Sequence, residues 1–167
     1  MTTIHPSAYV HPTAVIGDFV NIGENVYIGP LCIIGYPPEY KGKEHNDAGV
    51  IIEAGARLTG LVTVDSGTVR PTVIGKDCYL MKHCHVGHDA ILEDQVTLSP
   101  GAKIGGHTII GVMTNVGMNA TVHQKLNVPY GCMIGMGAVV TKKTELVPRT
   151  KLAGVPARII GENNHGL

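Results

Sequence analysis

An aliphatic residue recurs at every sixth position of this chain, with small and polar residues between. The series runs Ile4, Val10, Ile16, Ile22, Ile28 and Ile34, resumes in phase at Ile52, Leu58 and Val64, and then shifts by four residues. From Ile74 it continues unbroken through Leu80, Val86, Leu92, Leu98, Ile104, Ile110, Val116, Val122, Val128 and Ile134 to Val140. Gly follows the aliphatic in ten of these 21 hexads, as at Ile16-Gly17 and Ile104-Gly105, which marks a tight corner at the same period. A second column, four places after each aliphatic, is mostly small: Ala8, Ala14, Val20, Val26, Cys32, Ala56, Val62, Thr68, Cys78, Cys84 and so on to Thr144. Six residues are too few for a helical hairpin repeat, and no helix brings every sixth residue onto one stripe. Short strands joined by corners do so, with both columns turned inward. The pattern therefore predicts an all-β solenoid over 1–147, with 148–167 as a C-terminal tail. Two interruptions, Tyr36 to Gly49 and Gly67 to Thr72, are expected as outward loops, where function usually enters a solenoid.

Composition narrows the functional classes. The 167 residues suit one domain, and 13 basic against 13 acidic residues give no field for nucleic acid or an anionic membrane surface. Hydrophobic residues make up 44%, but only 4% are aromatic and none is Trp, so the core is built from small aliphatics. No apolar stretch is long enough to span a bilayer and the N-terminal residues lack a signal-peptide pattern, so the expected location is the cytoplasm. Cys32, Cys78, Cys84 and Cys132 all fall in the small inward column and fit no CxxC spacing, so they are expected as buried apolar residues rather than disulfides or metal ligands.

The hexad of Ile, Leu or Val, then often Gly, then a small residue resembles the hexapeptide-repeat family. That resemblance implies a left-handed parallel β-helix with three hexads, or eighteen residues, per triangular coil. Its handedness departs from the usual right-handed crossover and comes from the resemblance alone. The 21 hexads then make about seven coils, roughly 34 Å of stack at the spacing of paired strands.

An eighteen-residue coil places His88 beneath Gly106, Gly106 beneath Gln124, and Gln124 beneath Lys142. A base, a backbone amide unobstructed by a side chain and a hydrogen-bonding amide in line suit acyl transfer, in which a proton leaves the nucleophile and an oxyanion forms. His85-Val86-Gly87-His88-Asp89, Gly106-His107 and Val122-His123-Gln124 resemble, in order and spacing, the acyl-carrier-protein-dependent UDP-N-acetylglucosamine acyltransferases of lipid A synthesis. The resemblance implies His88 as general base, His85 as its assistant, the Gly106 amide as oxyanion donor, and His107, His123 and Gln124 lining the donor and acceptor site. It also implies a homotrimer with sites between subunits, an acyl carrier protein as partner and a sugar nucleotide as acceptor. Asp89 matches a residue proposed to orient the base, although strand alternation aims neighbours at opposite faces. Glu39 and Lys41 loosely resemble that family's acceptor-binding segment. His5 and His11 are expected as exposed corners, and His45 and His165 as surface residues.

The chain departs from that family after the repeat, where a helical domain is expected and only about twenty residues follow. Lys151-Leu152-Ala153-Gly154-Val155-Pro156-Ala157-Arg158-Ile159-Ile160-Gly161 and Ile134 to Lys142 resemble the ending of acetyl-CoA-dependent hexapeptide acetyltransferases, which implies Ala138, Lys142 and Arg158 beside the donor. The expected reaction therefore uses an acyl-phosphopantetheine donor, on a carrier protein or on CoA, with no permanently bound cofactor and no metal. Two other classes stand beside it. The γ-class carbonic anhydrases share the coil and bind zinc through three histidines, but their second His position is Glu93 here. A non-catalytic β-helix scaffold is the third, and it has no need to align His85, His88 and Gln124 over a glycine.

Overall fold

A computed structural model describes residues 1–39 and 46–164. The described residues contain strands and turns and no helix, so no helix is long and apolar enough to cross a membrane. Short strands stack into three parallel sheets that form the faces of a prism, in keeping with the left-handed β-helix expected from the repeat. The first face carries Val50–Ile52, Thr72–Ile74, Ile91–Leu92 and Ile109–Ile110, among others, and the third carries His85–Val86, Lys103–Ile104 and Thr121–Val122. Register follows the eighteen-residue coil: His85 pairs Lys103, Lys103 pairs Thr121 and Thr121 pairs Val139.

Alternation explains the core. Within Ile91–Leu92 the first residue is half-buried and the second buried, and the same holds in most rungs. The aliphatic column from Ile22 to Val140 is buried, as are Ala56, Ala90, Ala102, Ala120 and all four cysteines, which are free thiols. Burial pushes the Cys78 thiol up to about 12, which leaves it unreactive at neutral pH. Ile4 is half exposed because the first coil has no rung beneath it.

Two expectations are corrected. The stack exceeds seven coils: Thr150–Ala153 pairs in parallel with Met133–Ile134 as an eighth rung on the second face, and Arg158–Glu162 folds back antiparallel upon it. The hexad phase in fact continues through Leu146 and Leu152, and Leu152 is fully buried, so the segment expected as a tail is partly solenoid. Thr68 is not an inward residue. Thr72 takes that slot, fully buried and in register with Val50, because the four-residue excess shifts the chain before it re-enters the sheet. The two interruptions are linked to one another. Both leave the third face and rejoin the first at the same corner, where Ala48 N donates to Gly67 O (2.8 Å) and Gly67 N to Gly49 O (3.0 Å). Ser66 Oγ adds hydrogen bonds to the Gly49 amide (2.9 Å) and to Asp47.

Candidate active site

That corner lies directly beneath His88. His88 follows the strand His85–Val86, and its Nδ1 is 2.7 Å from Oδ2 of Asp89. Adjacent side chains on a strand diverge, but Asp89 stands at a corner with φ of 59°, and the left-handed turn brings its carboxylate back to its neighbour. Alternation parts neighbouring side chains only where the chain is extended, so it does not part Asp89 from His88.

Asp89 is fully buried. Its carboxylate accepts from the amides of Thr68 (3.1 and 3.2 Å), Val69 (2.8 Å) and Arg70 (2.9 Å), and from Thr68 Oγ1 (2.7 Å). Burial alone raises a carboxyl pKa, but hydrogen bonds from the Arg70 amide, His88, Thr68 and Val69 overcome it and hold Asp89 well below the usual carboxylate range. An ionised Asp89 on Nδ1 keeps the proton there and leaves Nε2 of His88 with its lone pair, the tautomer a general base needs.

Gly106 covers that nitrogen. A Cβ on Gly106 would stand 2.8 Å from His88 Nε2 and 3.1 Å from Cδ2 and Cε1, so the absent side chain opens the space over the base. Among the described residues the Gly106 N–H meets no acceptor. The rung above is joined by Lys125 N to Gly106 O (2.9 Å), which places Gln124 over Gly106 as the coil arithmetic requires. His123 and Gln124 are exposed there, and His123 Nδ1 lies 2.9 Å from the Gln124 carbonyl oxygen.

His107 closes the other side of His88, edge to face at 4.9 Å between ring centroids, with Nε2 3.8 Å from Asp89 Oδ2. Burial lowers its pKa, and the positive neighbours Lys125 and Arg70 add to that, against Asp89, which favours a neutral ring. His88, Asp89 and His107 have ligand atoms within 4.8 Å of one another, the one such trio among the described residues. The Asp89 oxygens are already occupied by protein donors, His88 among them, while His107 Nε2 stands beyond hydrogen-bond distance of Oδ2. Glu93, at the position of the zinc lyases' second His, instead accepts from the Val112 amide at 2.9 Å.

A cavity of about 540 Å³ opens beside His88 and is lined by His85, Thr63, Asp65, Tyr36, Pro38 and Glu39, among others. His85 Nδ1 is 2.8 Å from Thr63 Oγ1 and its Nε2 is 3.7 Å from Asp65. Burial raises the Asp65 pKa, with the charge of Glu39 adding to it and His85 and His88 opposing. The fold thus brings Glu39, His85, His88 and Asp89 into one site with His107 and Gly106. Lys41 lies outside the described residues, as do His45 and His165. Lys142 continues the corner column, exposed and about 14 Å from His88 at three rungs. Arg158 is exposed in the closing hairpin. Ala138 is corrected: its side chain fills a core slot, fully buried, because it belongs to the small inward column. Sequence reasoning missed Asp65, Thr68, Val69 and Arg70. One signal was present, since subtracting one coil from Asp89 lands on the four-residue excess.

The fold and site define a hexapeptide-repeat protein with an acid–base corner, and similarity to known proteins agrees. The family described as bacterial transferase hexapeptide (six repeats) matches residues 1–36 and 71–106. It is similar to the acyl-[acyl-carrier-protein]–UDP-N-acetylglucosamine O-acyltransferase of Campylobacter concisus, 30% identical over 134 residues, covering 78% of this chain and 50% of that protein. The chain thus spans about half the length of the curated relatives it matches. The structure of UDP-N-acetylglucosamine acyltransferase from Campylobacter jejuni superposes with a TM-score of 0.79 at 26% identity, covering 96% of this chain and 75% of that one. A perosamine N-acetyltransferase from Caulobacter crescentus, solved with CoA and GDP-perosamine, shares the fold at 20% identity and a TM-score of 0.61, covering 93% and 57%.

Proposed function

We propose that this protein is an acyltransferase that moves an acyl group from a phosphopantetheine thioester to a hydroxyl or amine of a sugar nucleotide. The observation that carries the proposal is the Asp89–His88 pair with Nε2 directed at the uncovered backbone of Gly106. In the proposed reaction Nε2 removes the proton of the attacking hydroxyl or amine as the new bond to the acyl carbon forms. The negative charge on the acyl oxygen meets the Gly106 N–H, and the intermediate then expels the thiolate, which takes the proton back from His88. Asp89 stays ionised throughout and stabilises the transient imidazolium. Glu39 and Lys41 are assigned to the acceptor, His85 to assisting the base, His107, His123 and Gln124 to lining both substrates, and Lys142 and Arg158 to the donor's phosphates.

The names of the relatives favour an acyl-carrier-protein donor and a UDP-N-acetylglucosamine-like acceptor. A free acetyl-CoA donor is the second reading, favoured by the Gly154–Ala157 turn. That turn is built onto the last strand of the third face, through Val139 N to Gly154 O (3.0 Å) and Ala157 N to Val139 O (2.8 Å). Single-turnover transfer with matched carrier-protein and CoA donors, each bearing short and long acyl chains, separates the two. Faster reaction of the long-chain carrier-protein donor is expected, and equal or better use of acetyl-CoA assigns the second reading.

Assembly belongs to the same proposal. Ile51, Val73, Ile91 and Ile109 form an outward, half-buried aliphatic ladder on the first face, beside the catalytic corner. A threefold ring with heterologous contacts would cover such a ladder and complete the site from a second subunit. Light scattering is expected to give about three times 17.6 kDa, and a monomer with full transfer activity refutes the shared site.

A further inference from the structure

The four-residue excess at Gly67–Thr72 does more than interrupt a coil. It delivers three successive N–H groups, from Thr68, Val69 and Arg70, to one buried carboxylate, forming a concave anion nest of the kind that usually receives a ligand. Here the anion is the protein's own Asp89. Two side chains complete the grip. Thr68 Oγ1 donates to Oδ2, the oxygen that faces His88, at 2.7 Å, and Arg70 Nε donates to the Asp89 carbonyl at 3.0 Å. From the opposite side the Asp89 amide donates to Thr72 Oγ1 at 2.9 Å. The residue is thus held at its amide, its carbonyl and both carboxylate oxygens by one short segment. That segment is in turn anchored to the first interruption by the pairing of Gly49 with Gly67.

Resting on the acyl-transfer reading, we propose that this segment is a positioning clamp: it fixes the Asp89 carboxylate, and through it the His88 imidazole, with Thr68 and Arg70 as positioning residues. The physical reason lies in the left-handed corner. Asp89 reaches His88 from a left-handed corner, φ of 59°, of a kind that recurs along the solenoid at Asp77, Gln95 and His107, and hydrogen bonds at four points fix the residue there. Without the Thr68 hydroxyl, Oδ2 keeps His88 as its main donor but loses the bond that sets the carboxylate's rotation, and the imidazole gains freedom to turn and exchange its proton between nitrogens.

Thr68 is the handle for a test, since its hydroxyl is removable without touching the three amides. Thr68→Val is expected to lower kcat about tenfold, the worth of one hydrogen bond to a charged group, with the acceptor KM unchanged. Thr68→Ser is expected to restore it. A second readout does not depend on turnover: nitrogen chemical shifts of the His88 ring are expected to report the Nδ1–H tautomer in the wild-type protein and in Thr68→Ser, and a mixture with the Nε2–H form in Thr68→Val. An unchanged tautomer in Thr68→Val, or a loss in Thr68→Ser as deep as in Thr68→Val, overturns the clamp. If no donor is turned over by the wild-type protein, the acyl-transfer reading falls while the ring shifts still decide whether Thr68 holds Asp89 and His88 in register.

Discussion

His88→Ala is expected to keep the β-helix and its assembly and to lose transfer activity by about 10²–10⁴-fold, the usual worth of a positioned general base. The fold is insensitive because His88 stands at a corner with its ring partly exposed and takes no part in the core. The chemistry is sensitive because Nε2 is the basic nitrogen facing the open space beneath Gly106. The loss should fall on kcat, since His88 acts on the proton that moves in the transition state and adds little to ground-state binding. Circular dichroism and light scattering establish that the variant is folded, and single-turnover transfer measures the loss. A variant with an unimpaired rate would falsify the base assignment and return the β-helix scaffold as the better account.

Gly106→Ala is the second large effect, and it tests geometry without removing any functional group. Gly106 has no left-handed φ, so alanine is compatible with its backbone, and the amide proposed for the oxyanion is retained. The added methyl would nevertheless lie 2.8 Å from Nε2 and 3.1 Å from the two ring carbons beside it. The imidazole cannot give way freely, because Asp89 holds Nδ1 at 2.7 Å and His107 packs against the ring. Either the ring is displaced or the approach to Nε2 is blocked, and misplacement of this order costs about 10²-fold in rate. A loss of stability is expected alongside, since the methyl meets a ring that Asp89 and His107 hold in place. Wild-type kcat in Gly106→Ala would show that the reacting atoms do not pass between Gly106 and His88.

Much of this molecule is legible in one dimension because a β-solenoid is nearly one-dimensional: each rung contacts the rungs directly above and below. The six-residue aliphatic period determines which residues face inward, and the observed register of His85 on Lys103 and Thr121 on Val139 follows from counting eighteen. The same count aligns His88, Gly106 and Gln124, because a stacked coil turns a sequence interval into a spatial column.

Counting places the corners but says nothing about where their side chains turn. Whether Asp89 faces His88 depends on a backbone dihedral, φ of 59°, and on the bonds from Thr68, Val69 and Arg70 that set its carboxylate, so it was decided by the fold. The two interruptions behave likewise. As composition they are merely polar and glycine-rich, yet they share one corner and pair through Gly49 and Gly67, so the amides of the second excess close on Asp89 while the Val69 side chain stays in solvent. Thr68 shows the converse: it sits in the small column by count, and only the chain's path puts it on a carboxylate. The sequence by itself determined the coils and the column of the base, through local periodicity. The tertiary structure decided the base's partner, its tautomer and the cavity beside it, because hydrogen bonds between segments that do not obey the period depend on where each loop returns to the stack.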